Sequence, residues 1–161
     1  MNSLKKLLFY IGFLFFTFTN INAQKSSKII VEHADHFDVD ERLFPDAALL
    51  QGNVKVNHEG VVFTCNKAYF FQKENYIKAF GDVQTAQCDM LFLNSKYAEY
   101  NEEVKKTYAT ENVIMRSPES TLVTDTINFD RNTEEAYFNS LGMITKKDNI
   151  LRSKSGRYFI Y

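Results

Sequence analysis

Four short segments recur at a nearly constant spacing, and they limit this chain to repeat architectures more than any other feature does. They are Gly52-Asn53-Val54, Gly81-Asp82-Val83, Glu111-Asn112-Val113 and Gly142-Met143-Ile144, with first residues 29, 30 and 31 positions apart. A second mark follows each one, reading polar-x-small or aliphatic-x-aromatic. Its copies are Asn66-x-Ala68-x-Phe70, Lys96-x-Ala98-x-Tyr100, Asp125-x-Ile127-x-Phe129 and Lys154-x-Gly156-x-Tyr158, whose aromatic positions lie 30, 29 and 29 apart. Two independent marks holding one period four times define a repeated supersecondary unit that cannot bury its apolar face alone.

The unit is built from strands. Val54 and Val56 alternate with Lys55 and Asn57, Ile77 and Ala79 flank Lys78, and Leu122, Thr124 and Thr126 alternate with Val123, Asp125 and Ile127. Period-two alternation in β-branched and aromatic residues is a strand signal. Turn-forming clusters separate the runs: Asn57-His58-Glu59-Gly60, Gln72-Lys73-Glu74-Asn75, Asn101-Glu102-Glu103, Ser117-Pro118-Glu119 and Asp130-Arg131-Asn132. Gly52, Gly81 and Gly142 fall within strand patterns, where glycine marks a bulge or sharp bend. A bend at one place in every unit carries each strand from one sheet into an opposing one. The expected fold is all-β, with about nine or ten antiparallel strands in two facing sheets, roughly two per repeat.

Residues 1–23 stand outside this scheme. Lys5 and Lys6 precede an apolar run from Leu7 to Phe18, and Ile21-Asn22-Ala23 ends in a small residue. That is the pattern of a secretory signal peptide, and the run is shorter than the roughly 20 residues of a spanning helix. The expected organisation is an exported leader, 1–23, followed by one domain, 24–161. With 19 Lys+Arg against 20 Asp+Glu the chain lacks the basic footprint of a nucleic-acid binder.

The runs Leu50-Gln51-Gly52-Asn53-Val54, Phe63-Thr64-Cys65-Asn66-Lys67-Ala68-Tyr69 and Ala79-Phe80-Gly81-Asp82-Val83 resemble the OstA-like/LptA family of periplasmic lipopolysaccharide-transport proteins. Leu122 to Phe129 and Leu151 to Tyr158 fit the same template. The resemblance implies a β-jellyroll, or β-taco, whose groove holds lipid acyl chains. It implies a periplasmic location, lipopolysaccharide or lipid A as cargo, and partners among the transport proteins of both membranes, with copies joining head to tail. Glu111 departs from the pattern by replacing the bend glycine, which predicts a softer bend. The sequence also ends within an alternating strand at Phe159-Ile160-Tyr161, as an open edge or a truncated longer chain would.

A carrier of this kind needs no cofactor, metal or nucleophile. Its expected groove lining is Val54, Val56, Ile77, Val83, Leu91, Leu93, Val113, Met115, Leu122 and Ile144. Each methylene buried there gains roughly 0.8 kcal/mol. The alternative reading is an exported β-repeat interaction or adhesion module with a closed core and no lipid cargo.

Three constellations invite chemistry and lose on spacing. His33 and His36, beside Asp35, Asp38, Asp40 and Glu41, point to opposite faces of a strand, which disfavours a metal site. Asp125 and Asp130 suggest a glycosidase carboxylate pair, but Asp125 holds a repeat position filled elsewhere by Asn66, Lys96 and Lys154. Cys65 and Cys88 fall on the order of 20 Å apart in a simple hairpin register, beyond disulfide reach. Two free thiols are expected, unless the bend at Gly81 brings them together. Lys105, Lys106, Lys146 and Lys147 read as turn lysines, with lipid A phosphates as the alternative partners.

Overall fold

The computed structural model describes residues 27–40, 42, 45–87 and 90–159. The leader expected at 1–23, Cys88 and the last two residues, 160 and 161, lie outside them. Twelve strands follow one another: β1 (Ile30–His33), β2 (His36–Asp38), β3 (Ala48–His58), β4 (Val61–Phe71), β5 (Tyr76–Gln87), β6 (Leu91–Asn101), β7 (Lys106–Arg116), β8 (Thr121–Asp130), β9 (Glu135–Phe138), β10 (Gly142–Lys146), β11 (Asn149–Ser153) and β12 (Gly156–Phe159). All pair antiparallel in a single sheet ordered β1-β3-β4-β5-β6-β7-β8-β10-β11, with β2 on β3, β9 on β8 and β12 on β9. Among the described residues the strands therefore number twelve in one hydrogen-bonded sheet, where sequence suggested nine or ten in two facing sheets.

The reason is visible in the register. Each of β3 to β8 is long, and each ladder among them slips once, near its middle, at the recurring marks. Gly52 and Asn53 bulge between the pairs Gln51↔Lys67 and Val54↔Cys65. Gly81 and Asp82 bulge between Phe80↔Tyr97 and Val83↔Ser95, and Glu111 and Asn112 between Thr110↔Thr126 and Val113↔Thr124. Two residues oppose one at these three slips and three oppose two at the β4–β5 and β6–β7 slips, which bends a strand without ending its pairing. All six bulge residues have positive φ, from 45° to 74°. The bulges lie in a row, so the whole sheet creases along one line and its halves face each other.

We call these halves the first wall (54–58 of β3, 61–65 of β4, 83–87 of β5, 91–95 of β6, 113–116 of β7, 121–124 of β8) and the second wall (48–51, 67–71, 76–80, 97–101, 106–110 and 126–130 of the same strands). Edge strands β1, β10 and β11 extend the first wall, and β2, β9 and β12 the second.

Gly142 makes a different contribution from Gly52 and Gly81. In the fourth unit the long strand is replaced by β9 and β10 with a break between them, and Gly142 opens β10 without a positive φ. A Cβ on it would stand 2.3 Å from the Phe138 ring, and one on Gly156 2.7 Å from the same ring. Both glycines leave room for Phe138, which is buried. The softer bend expected at Glu111 is not seen: Glu111 takes φ 66° and the ladder slips there as it does at the glycines.

The interior near the crease is graded by size. Leu50, Ala68, Ala79, Ala98, Ala109 and Ile127 form one cross-strand row on the second wall, all buried. Alanines fit where the walls converge. Farther from the crease the row Phe70, Ile77, Tyr100 and Phe129 fills the wider gap. Burying each large apolar side chain is worth roughly 1.5–3 kcal/mol.

Candidate functional site

The space between the walls is the candidate site. All ten expected lining residues face it: Val54, Val56, Ile77, Val83, Leu93, Val113, Met115 and Leu122 are buried in the core, and Leu91 and Ile144 pack against it. Most of them touch protein on every side. Leu91, Leu93 and Met115 border a gap of about 40 Å³, together with Val61, Phe63, Ile127 and Phe129. A water needs about 10–15 Å³ of such space, so the gap holds a few small groups and no full-length acyl chain.

The crease is held by a third repeating mark, which the sequence reading missed. Cys65, Ser95, Thr124 and Ser153 each stand one residue before the polar member of the second mark. Each donates its side-chain hydrogen to the carbonyl two residues on: Cys65 Sγ to Lys67 at 3.3 Å, Ser95 Oγ to Tyr97 at 3.0 Å, Thr124 Oγ1 to Thr126 at 3.4 Å and Ser153 Oγ to Ser155 at 2.6 Å. Cys65 thus occupies a hydroxyl's place. It is a free, buried thiol, and burial pushes its pKa up against the opposing pull of hydrogen bonds from the Phe80 and Lys67 backbone.

The residues suspected of metal binding near the N-terminal edge serve the same crease. Asp35 accepts from Asn53 Nδ2 at 2.9 Å and its backbone N–H donates to the Gly52 carbonyl at 2.9 Å. It packs against Gly52 as Asn66 packs against Gly81. His33 pairs with Asp35 at 3.2 Å on the surface, and His36 lies exposed on β2. Asp125 opposes the third bulge, whereas Asp130 pairs with Lys106 at 3.6 Å at the far end of β8. Lys146 pairs with Glu119 at 2.6 Å, and Lys105 and Lys147 hold positive-φ turn positions.

Opposite the crease, the free rims of the two walls meet along a seam. Its N-terminal section is closed by polar groups from three distant segments. His58 and Glu59 come from the end of β3 on the first wall. Tyr100 and Glu102 come from the end of β6, and Arg131 follows β8, all on the second wall. His58 is 1% exposed and Glu102 2%. Arg131 Nη1 donates to Tyr100 Oη at 2.7 Å and to His58 Nδ1 at 3.2 Å, while Nη2 donates to Glu59 at 3.0 Å. A guanidinium only donates, so Nδ1 accepts and the imidazole proton sits on Nε2. Nε2 faces Ser27 Oγ at 2.6 Å and Glu102 Oε2 at 3.3 Å. Tyr100 donates its hydroxyl to the same Glu102 oxygen.

The rings complete the closure: Tyr100 stacks on Phe63 of the first wall with centres 5.5 Å apart and tilts against His58 at 5.4 Å. Burial, then the Glu102 carboxylate, pushes the Tyr100 hydroxyl pKa up. Burial works against the charged Arg131, but Tyr100 and Glu59 outweigh it and raise its pKa. Among the described residues, His58, Glu59 and Glu102 are the group whose ligand-type atoms converge, within 4.8 Å. Arg131 already supplies the cation there.

A strap reinforces this section. Asn75, in the β4–β5 turn, donates to the Ser27 carbonyl at 2.7 Å and accepts from the Ile29 N–H at 2.9 Å, tying the chain before β1 to the second wall. Among the described residues the C-terminal section is open. A cavity of about 600 Å³ lies there, lined by apolar Met90, Leu91, Pro118, Tyr158 and Phe159, with Lys146, Glu119 and Glu134 at its border. Its Gln87 and Leu91 also border the inner gap. Neutral hydroxyls cross here: Tyr158 Oη lies 3.3 Å from Ser117 Oγ and 3.1 Å from Ser120 Oγ.

No curated protein matches the chain. Among solved structures it is similar to LptH of Pseudomonas aeruginosa, described as the LptA-homologous periplasmic component of the conserved lipopolysaccharide transport device. The TM-score is 0.56 at 17% identity, over 63% of this chain and 75% of LptH. That likeness establishes the jellyroll fold. Residues 26–161, spanning both walls, the crease and the seam, match the family described as OstA-like protein, and the chain belongs to that family.

Proposed function

We propose that this protein is a periplasmic carrier of lipopolysaccharide, sheltering acyl chains between its walls and leaving sugar and phosphate in water at the seam. One observation carries the reading: an apolar interior reaches the surface through the open C-terminal section, beside Met90, Leu91, Pro118 and Phe159. An adhesion module would instead close its core and bind on a polar face. Removing acyl methylenes from water supplies the affinity, at roughly 0.8 kcal/mol each, and this transport requires no catalytic group. The leader expected at 1–23 supports delivery to the periplasm.

The edges support a place in a bridge with other lipopolysaccharide-transport proteins. β1 and β2 end the sheet on one side with Ile30, Phe37 and Val39 exposed nearby, and β11 and β12 end it on the other with Ile150, Leu151 and Phe159 exposed. Exposed strand edges are templates for another chain's strand, and joining unlike edges gives an open, head-to-tail series. Mass spectrometry of lipid extracted from the protein, purified from an envelope-bearing host without detergent, tests the proposal. Co-purifying lipopolysaccharide supports it; a lipid-free extract from folded protein refutes it.

A further inference from the structure

The inner gap of about 40 Å³ is too small for the cargo proposed above, so the walls must part for any chain to enter. The crease cannot yield, because five ladders run through it unbroken by anything except a one-residue slip. Parting is therefore a hinge motion about the crease, resisted by whatever crosses the seam. The two sections resist unequally. At the C-terminal section, among the described residues, Tyr158 crosses through hydroxyl contacts with Ser117 and Ser120, which water replaces at little cost. At the N-terminal section a buried carboxylate, an imidazole, a phenol and a guanidinium satisfy one another, and separating them leaves charge unpaired in an apolar place.

We infer that His58, Tyr100, Glu102 and Arg131 form a latch across the seam. It holds the N-terminal section of the groove shut, so that the C-terminal section and the β1–β2 end of the groove communicate for an acyl chain only when the latch releases. Tyr100 and Arg131 are themselves walls of the inner gap, which makes the latch the stop that an entering chain meets. The Glu59 arm of Arg131 is the outermost link and half exposed, so release begins there. The inference rests on the carrier reading, but the closed state is a property of the empty protein.

Hydrogen exchange of the intact protein, read by mass spectrometry, and stopped-flow uptake of a pyrene-labelled fatty acid test it together. Arg131→Met keeps the stem and removes the fork. It should speed exchange at least tenfold in the turns at 58–60 and 102–105 while β10 and β11 keep wild-type rates, and should raise the uptake rate at least threefold. Tyr158→Phe, at the open section, should leave exchange in those two turns unchanged. If Arg131→Met does not fold, Glu59→Gln, which spares the buried pair, should give the same pattern at smaller amplitude. Wild-type exchange in those turns for both folded variants, or loosening spread evenly over all strands, overturns the latch. If the fatty acid enters neither wild type nor variant, the carrier reading fails, and the exchange pattern alone still decides the latch.

Discussion

A Cβ on Gly81 would lie 2.9 Å from Nδ2 of Asn66, which stands in the slipped part of the β4–β5 ladder beside the Gly81–Asp82 bulge. The first repeating mark thus supplies a bulge and the second supplies the side chain packed against it. Gly81 also has φ +72°, a conformation costing an L-residue roughly 1–2 kcal/mol. Gly81→Val adds the contact with Asn66 to that cost, and its urea midpoint should fall by about 2 kcal/mol or more of stability. Glu111 bears the same cost already at φ 66°. Glu111→Gly should therefore gain about 0.5–1 kcal/mol, the strain relief exceeding the added chain entropy.

Cys65 and Ser95 predict each other's substitutions. Cys65→Ser preserves a donor to the Lys67 carbonyl and should change stability by less than about 1 kcal/mol. Ser95→Ala leaves the Tyr97 carbonyl without its donor and should cost about 1–3 kcal/mol, as measured by urea denaturation. Because burial raises the Cys65 pKa, iodoacetamide at pH 8 should alkylate it only after denaturation.

Breaking the buried polar group from one side should be expensive. Glu102→Ala leaves Arg131, His58 and the Tyr100 hydroxyl without their shared acceptor, and a loss of about 3–5 kcal/mol is expected in thermal or chemical unfolding. The double variant Glu102→Ala with Arg131→Met should lose clearly less than the sum of the two single losses, since neither charge is then stranded.

Acid should weaken the outer arm of this group. Hydrogen bonding from Ser27, then from Arg131, holds the Glu59 carboxyl below its ordinary value of 4.5. A depressed folded pKa means that the folded state takes up the proton less readily than the unfolded chain. Its stabilising effect is complete above the ordinary value and disappears as pH falls through the folded one. The melting-temperature difference between wild type and Glu59→Gln should be constant from pH 7 to 5 and disappear as the pH falls from the ordinary carboxyl value through the lower folded one.

Sequence alone carried the architecture because its organising device is local: a bulge needs particular residues at one place, and these recur visibly from Gly52 to Asn112. Finer assignments failed where the crease changes the rules. Strict alternation through Leu122, Thr124 and Thr126 predicts Thr126 inward, yet Ile127 is the buried residue, since the inward face slips by one on that strand. The Cys65, Ser95, Thr124, Ser153 series was readable by spacing but hidden by its mixed chemistry. Glu102 and Arg131 sit in segments with turn composition, and composition does not separate a turn carboxylate in water from one folded under a neighbouring wall. Only the meeting of His58 with Tyr100, 42 positions apart, reveals the seam.

The central claim is that acyl chains lie between the walls, and site-specific photocrosslinking in living cells tests it most directly. A benzophenone amino acid at Leu91 or Met115, which border the inner gap, should yield a covalent lipopolysaccharide adduct on illumination. The same group at Ile114, the neighbour of Met115 that belongs to the outer face of β7, should yield none. Adducts at Ile114 with none at Leu91 or Met115, in stably folded variants, would contradict the account.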